Sequence, residues 1–132
     1  MAFVDTSGLY AVLDADDGNH AAARRTWTQL LERGDSVETT NYVIVECVAL
    51  IQHRLGLAAL RTFVSDVLPV VRTAWVTTAA HDAALQAVLS AGRRDLSLVD
   101  CTSFAVMRQN GVDEVFAFDR HFVEQGFRVL PG

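Results

Sequence analysis

Four acidic residues stand at the ends of apolar runs or inside one. Asp5 closes Met1-Ala2-Phe3-Val4, Glu46 interrupts Tyr42 to Val48, Asp100 follows Leu98-Val99, and Asp119 ends Val115 to Phe118. An ionised carboxylate among residues that favour burial is costly unless it is paired, hydrogen-bonded or bound to a metal. Four such positions in a short chain point to one anionic pocket that holds a divalent cation. Mg²⁺ or Mn²⁺ suits it, because hard cations take oxygen ligands and leave room for water and phosphate oxygens. A cation held this way activates water for in-line attack on phosphorus and stabilises the leaving oxygen. That chemistry needs neither a histidine nor a nucleophilic serine.

Hydroxyls accompany the acids: Thr6 and Ser7 after Asp5, Thr102 and Ser103 after Asp100. They suit hydrogen bonding to water or phosphate in the pocket, and Thr6 and Ser7 equally suit a helix start. Arg120 and His121 follow Asp119, and Arg93-Arg94 make a small basic spot ahead of Asp100. These are candidate contacts to a phosphate backbone; each also fits a solvated turn. The other twelve of the 16 acidic residues lie in polar stretches and read as surface. His20, His53 and His81 stand alone, with no zinc spacing. Cys47 and Cys101 each follow a candidate acid, form no C-x-x-C pair, and read as small buried residues. Trp27 and Trp75 read as core or interface.

The acids must be brought together by their elements. Ala2–Val4 reads as a strand, Asp5–Gly8 as a strand-to-helix turn with Leu9, Val12 and Leu13 on one helical face. A second helix spans Asn19–Glu32, with Gly34 as its stop. Val37–Thr39 is a strand; Thr40 or Asn41 caps a helix to Arg54. A fourth helix runs Leu57–Leu68, stopped by Pro69. Val70–Val76 is a strand, and Thr77 or Thr78 opens a helix to Ala91. After the turn at residues 92–95, a helix spans Leu98–Asn110. Val115–Phe118 is a strand, residues 120–125 a short helical piece, and Phe127–Leu130 a last strand. Short apolar strands alternating with helices indicate an α/β fold with a mainly parallel central sheet. Ligands of such sheets bind beyond the carboxyl ends of the strands, where Asp5 and Asp119 fall. Glu46 and Asp100 lie towards the N-terminal parts of helices, whose dipoles favour their charge.

The 132 residues fit a single domain, 1–132. No apolar run reaches the roughly 20 residues of a membrane span, and no basic leader precedes Asp5, so a cytoplasmic, non-membrane protein is expected. The 51% hydrophobic content also suggests a buried subunit interface. Net charge is −5, which argues against broad electrostatic binding to nucleic acid and leaves attraction of a polyanion to metal ions and local arginines. All 11 basic residues are arginine. The absence of lysine removes Walker-type phosphate loops, kinases and Schiff-base chemistry.

Asp5-Thr6-Ser7 at the start, Glu46 on an apolar helix, Asp100-Cys101-Thr102-Ser103-Phe104-Ala105-Val106-Met107, and Phe118-Asp119-Arg120-His121-Phe122 together resemble a PIN-domain ribonuclease. The VapC toxin branch of bacterial toxin–antitoxin pairs is the nearest pattern, and the resemblance spans essentially the whole chain. It implies a PIN-like fold and a metal-dependent endoribonuclease toxin that hydrolyses transfer or ribosomal RNA to 5′-phosphate and 3′-hydroxyl ends. It also implies a homodimer silenced by a cognate antitoxin, whose basic segment can enter the acidic groove. Asp5 and Asp100 then hold the metal directly or through water, Glu46 shapes the site or positions the attacking water, and Asp119 serves a second metal or the outer shell. Ser7, Ser103 and Thr6 support them, and Arg93, Arg94, Arg120 and His121 become possible RNA contacts. Two other readings share these residues: a PIN nuclease in RNA processing outside a toxin pair, and a catalytically silent binding module. A phosphoacceptor signalling domain resembles its relatives in needing a lysine, and a two-aspartate phosphatase would need aspartate where Ser7 stands.

Overall fold

In a computed structural model that describes residues 1–132, the chain runs β1 (Ala2–Val4), α1 (Thr6–Leu13), α2 (His20–Glu32), β2 (Val37–Thr40), α3 (Asn41–Arg54), α4 (Leu57–Thr62), β3 (Val71–Ala74), α5 (Thr78–Ala91), α6 (Leu98–Gln109), β4 (Glu114–Phe116), α7 (His121–Glu124) and β5 (Arg128–Leu130). The five strands form one sheet in the order β3-β2-β1-β4-β5. Every neighbouring pair is parallel, with Phe3 beside Glu38 on one side and Val115 on the other. From β1 the chain moves outward to β2 and β3, then returns to the opposite side for β4 and β5. The order reverses between β1 and β4, the crevice where parallel sheets place their ligands.

The starts of α3 and α5 follow side-chain caps. Thr40 Oγ1 accepts from Val43 N at 3.1 Å and Thr77 Oγ1 from Ala80 N at 3.1 Å. The core lies where the sheet meets its helices: Phe3, Val4, Val115 and Phe116 from the strands pack with Leu9, Ile51, Phe63, Met107 and Phe122, all buried. No helix is long and apolar enough to cross a membrane.

The strand expected at Val70–Val76 is shorter, Val71–Ala74, and two other elements depart from their expected course. The fourth helix keeps α geometry only to Thr62, then passes through a wider π turn (Phe63–Val67) and a tight 3₁₀ turn (Leu68–Val70). Pro69 therefore does not stop the helical path. It sits in the first turn of the 3₁₀ segment, where no N–H is needed. β4 ends at Phe116 rather than Phe118, so Asp119 stands in the loop beyond the strand. Trp75 is 75% exposed, outside the core of this chain, whereas Trp27 stacks on Phe116 at 6.4 Å.

Candidate active site

Asp5 is placed by the end of β1. Its backbone N–H donates to Phe116 O at 3.0 Å, and its side chain caps α1. Asp5 Oδ2 accepts from Ser7 N at 3.2 Å and from Ser7 Oγ at 2.6 Å. Ser7 Oγ in turn accepts from Phe118 N at 2.9 Å. One hydroxyl thus ties the start of α1 to the loop that carries Asp119.

Asp100 is the third residue of α6 and closes a capping box. Ser97 Oγ accepts from Asp100 N at 3.0 Å, and Asp100 Oδ2 accepts from Ser97 N at 3.1 Å. The helix N-terminus also favours the negative charge. Ser97→Ala is expected to lower stability by about 1 kcal/mol, the usual worth of such a cap, in urea unfolding. A loss within error would mean that the box does not hold this turn.

Asp119 folds back on its own loop, with Oδ1 accepting from His121 N at 2.9 Å. His121 is buried, only 8% exposed, and so does not stand in a solvated turn. Its Nδ1 lies 2.7 Å from Asp119 Oδ1 and 3.6 Å from Asp100 Oδ2. The close approach to Asp119 lies off the hydrogen-bonding direction, so Nδ1 has no hydrogen-bond partner. Nε2 faces Asp95 Oδ2 at 3.2 Å. Ligand atoms of Asp100, Asp119 and His121 all lie within 4.8 Å of one another.

The electrostatics match a site short of positive charge. Burial pushes the Asp5 carboxyl up to about 7; the Ser7 hydrogen bonds oppose this, and the charges of Asp100 and Asp119 add to it. Asp100 is also raised, by burial and by Asp119, against the hydrogen bonds from Ser97. Burial pulls the His121 imidazole down, but Asp95, Asp119 and Asp100 outweigh it and the net shift is upward. Asp5 stands beside the trio rather than inside it, near enough to feel both carboxylates.

The other expected site residues are less central. Glu46 is exposed, not buried, because the neighbouring Val45 is itself 67% exposed and that side of α3 faces outward. Cys47, the next residue, is buried, and burial with the Asp5 and Glu46 charges pushes its thiol up to about 12. Glu46 therefore lies on the exposed side of α3, outside the trio. Arg93 bonds Asp95 and Glu124 at 3.0 and 2.9 Å, and Arg120 lies 3.7 and 3.8 Å from the same two acids. Arg94 is exposed and forms no ion pair. Two buried acids had been read as surface. Glu38 receives Asn110 Nδ2 at 2.7 Å, and Glu114 is held by Arg33 at 2.7 Å and Arg128 at 2.8 Å. Their partners lie far away in sequence, so local pattern gave no sign of them.

The donor set suits a hard cation. Each carboxylate commits one oxygen to the fold, and Asp5 Oδ1, Asp100 Oδ1 and Asp119 Oδ2 accept no protein hydrogen bond. Ser103 Oγ is buried one helical turn after Asp100 and has no partner. Thr6 Oγ1, buried towards the Cys47 thiol, also lacks one. Carboxylate oxygens left open in a buried site are what an ion and its water shell would satisfy.

Residues 2–128 match the PIN domain family, and the chain belongs to it. PIN nucleases generally use a divalent metal. Within the family, the chain is 37% identical over 128 residues to the 23S rRNA-specific endonuclease VapC20 of Mycobacterium tuberculosis, covering 96% of this chain and 95% of that protein. The crystal structure of that VapC20, a sarcin-ricin loop cleaving toxin, aligns with a TM-score of 0.84 at 35% identity over 96% of each chain. FitAcB from Neisseria gonorrhoeae shares the fold alone, with a TM-score of 0.68 at 16% identity, covering 98% of this chain and 96% of that one.

Proposed function

We propose that this chain is a metal-dependent endoribonuclease toxin that cuts ribosomal RNA and is silenced by a cognate antitoxin. One observation carries the proposal: Asp100 and Asp119 come within ion-sharing distance of each other, with Asp5 beside them at the end of β1, and each of the three keeps one carboxylate oxygen free of protein hydrogen bonds. Mg²⁺ or Mn²⁺ is the cofactor, held by these three directly or through water. When bound, the ion supplies Lewis acidity towards the scissile phosphate. Ser7 fixes Asp5 against the Asp119 loop, Ser103 and Thr6 offer hydroxyls to the solvent shell, and Glu46 on α3 orients the attacking water. The VapC20 relative makes 23S rRNA, and its sarcin–ricin loop in particular, the first substrate to test. Exposed Val45, Leu57, Val64, Trp75 and Leu89 give the chain apolar surface for a homodimer and an antitoxin. RNA places its work in the cytoplasm.

The test is incubation of purified protein with 23S rRNA and Mg²⁺ or Mn²⁺, with the cut ends mapped. Defined cuts are expected, lost with chelator and reduced more than about 100-fold in Asp100→Asn, since even outer-shell changes cost 10–100-fold. Cleavage that survives both treatments overturns the proposal. Binding also links to folding: saturating cation at 100 times its Kd adds about 2.7 kcal/mol of stability and raises the melting temperature. Equal melting temperatures in chelator and in excess Mn²⁺ would count against the site.

A further inference from the structure

The only three-residue group close enough to share an ion, Asp100, Asp119 and His121, includes an imidazole besides its carboxylates. His121 hangs from the first turn of α7, and its ring is fixed from both sides. Asp95 lies on the loop before α6, braced by Arg93 at 3.0 Å, which also bonds Glu124 of α7 at 2.9 Å. An ionised carboxylate only accepts, so the ring presents N–H to Asp95 through Nε2. In the neutral ring, Nδ1 then carries a lone pair. Nδ1 lies 2.7 Å from Asp119 Oδ1 and 3.6 Å from Asp100 Oδ2 without a hydrogen bond to either, in a position only 8% exposed. A lone pair buried against two carboxylates is repulsive unless a positive charge lies between them.

Histidine ligands of metals almost always donate their other ring N–H to a carboxylate, which fixes the tautomer and makes the free nitrogen more basic. Asp95–His121 has that form, with its free nitrogen beside the acidic pair. Ligand atoms about 2.1 Å from an octahedral ion sit roughly 3 Å apart when adjacent. The 2.7 and 3.6 Å from Nδ1 to Asp119 Oδ1 and Asp100 Oδ2 bracket that spacing. These oxygens, which also accept from His121 N and Ser97 N, are the ones that would share the ion with the ring.

We infer that His121 Nδ1 is a direct ligand of the ion, making a mixed nitrogen–oxygen site with Asp100 and Asp119 that selects divalent transition metals over Mg²⁺. The inference rests on the metal-dependent reading above and deepens it. Imidazole favours first-row transition metals, whereas Mg²⁺ keeps to oxygen and water. Asp95 acts through His121 as a positioning residue, and the Arg93–Asp95–Glu124–Arg120 network becomes the brace of a ligand rather than a grip on RNA.

The experiment loads the full-length protein with Mn²⁺ and reads electron spin-echo modulation from directly bound nitrogen. The expected result is a ¹⁴N signal that converts to ¹⁵N when only the histidines are ¹⁵N-labelled and disappears in His121→Gln. Calorimetry is expected to show Mn²⁺ affinity falling about tenfold or more in His121→Gln, with Mg²⁺ affinity changing much less. Labelling leaves the wild-type fold untouched, so the result does not depend on how well the variant folds. If Mn²⁺ binds and RNA is cut but no histidine nitrogen couples, His121 is only an imidazolium paired with Asp119, and the inference falls while the nuclease reading stands. If Mn²⁺ does not bind at all, both fall.

Discussion

Asp5→Asn is expected to stabilise the metal-free protein at neutral to alkaline pH while abolishing RNA cleavage. In the fold the Asp5 carboxyl titrates at about 7, far above its ordinary 3.8, chiefly because burial disfavours the charged form. The folded chain therefore holds that proton more tightly than the unfolded chain. Below about 3.8 both states are protonated and the residue contributes nothing to the pH dependence. Between 3.8 and about 7 the unfolded state ionises first, so stability falls as pH rises. Above about 7 the full penalty is present, on the order of 4 kcal/mol for a shift of this size. Asparagine is neutral at every pH, and its carbonyl oxygen can accept the Ser7 hydrogen bonds that Asp5 Oδ2 now takes. Urea unfolding in chelator at pH 8 is therefore expected to favour Asp5→Asn by up to about 4 kcal/mol, with the gap closing towards pH 4. Cleavage at saturating Mn²⁺ is expected to fall more than about 100-fold. A metal-free variant less stable than wild type at pH 8 would mean that the buried carboxylate is satisfied without a cation.

The same electrostatic logic explains what was legible in the sequence. Asp5 and Asp100 could be found because each combines a local signal with an oddity: one ends an apolar strand, the other enters an apolar helix. Their hydrogen-bond partners, Ser7 and Ser97, lie within three residues along the chain. The apolar run around Glu46 predicts burial, and on α3 both Val45 and Glu46 are exposed instead. Glu38 and Glu114 went unseen for the opposite reason. Their charges are matched by Asn110, Arg72, Arg33 and Arg128, brought close only by the parallel register of the sheet and the packing around it. His121 had no local sign of burial at all, since Asp119-Arg120-His121 reads as a polar turn. What buries it is the fold, which lays the Asp95 loop and the Asp100 helix against α7.

Gly8 shows how closely that fold is tied to the chemistry, and Gly8→Ala is expected to damage both. In an exposed helix interior, alanine would be favoured over glycine by about 1 kcal/mol. Here a Cβ would stand 2.8 Å from the Phe116 carbonyl oxygen and 3.0 Å from the ring. The oxygen is backbone in a central strand and cannot rotate away, so α1 must lift off β4. That movement strains the Asp5 N–H to Phe116 O bond at 3.0 Å and the Phe118 N–H to Ser7 Oγ bond at 2.9 Å, the two links that hold Asp5 against the Asp119 loop. Overpacking of this kind costs about 1–3 kcal/mol, and loss of either link adds to it. Cleavage is expected to fall at least tenfold at temperatures where the variant is still folded, because the carboxylates no longer meet in register. Gly18→Ala is the control, since a Cβ there meets nothing within 4 Å. Full activity in a folded Gly8→Ala protein would show that the α1–β4 contact supports the sheet without setting the site.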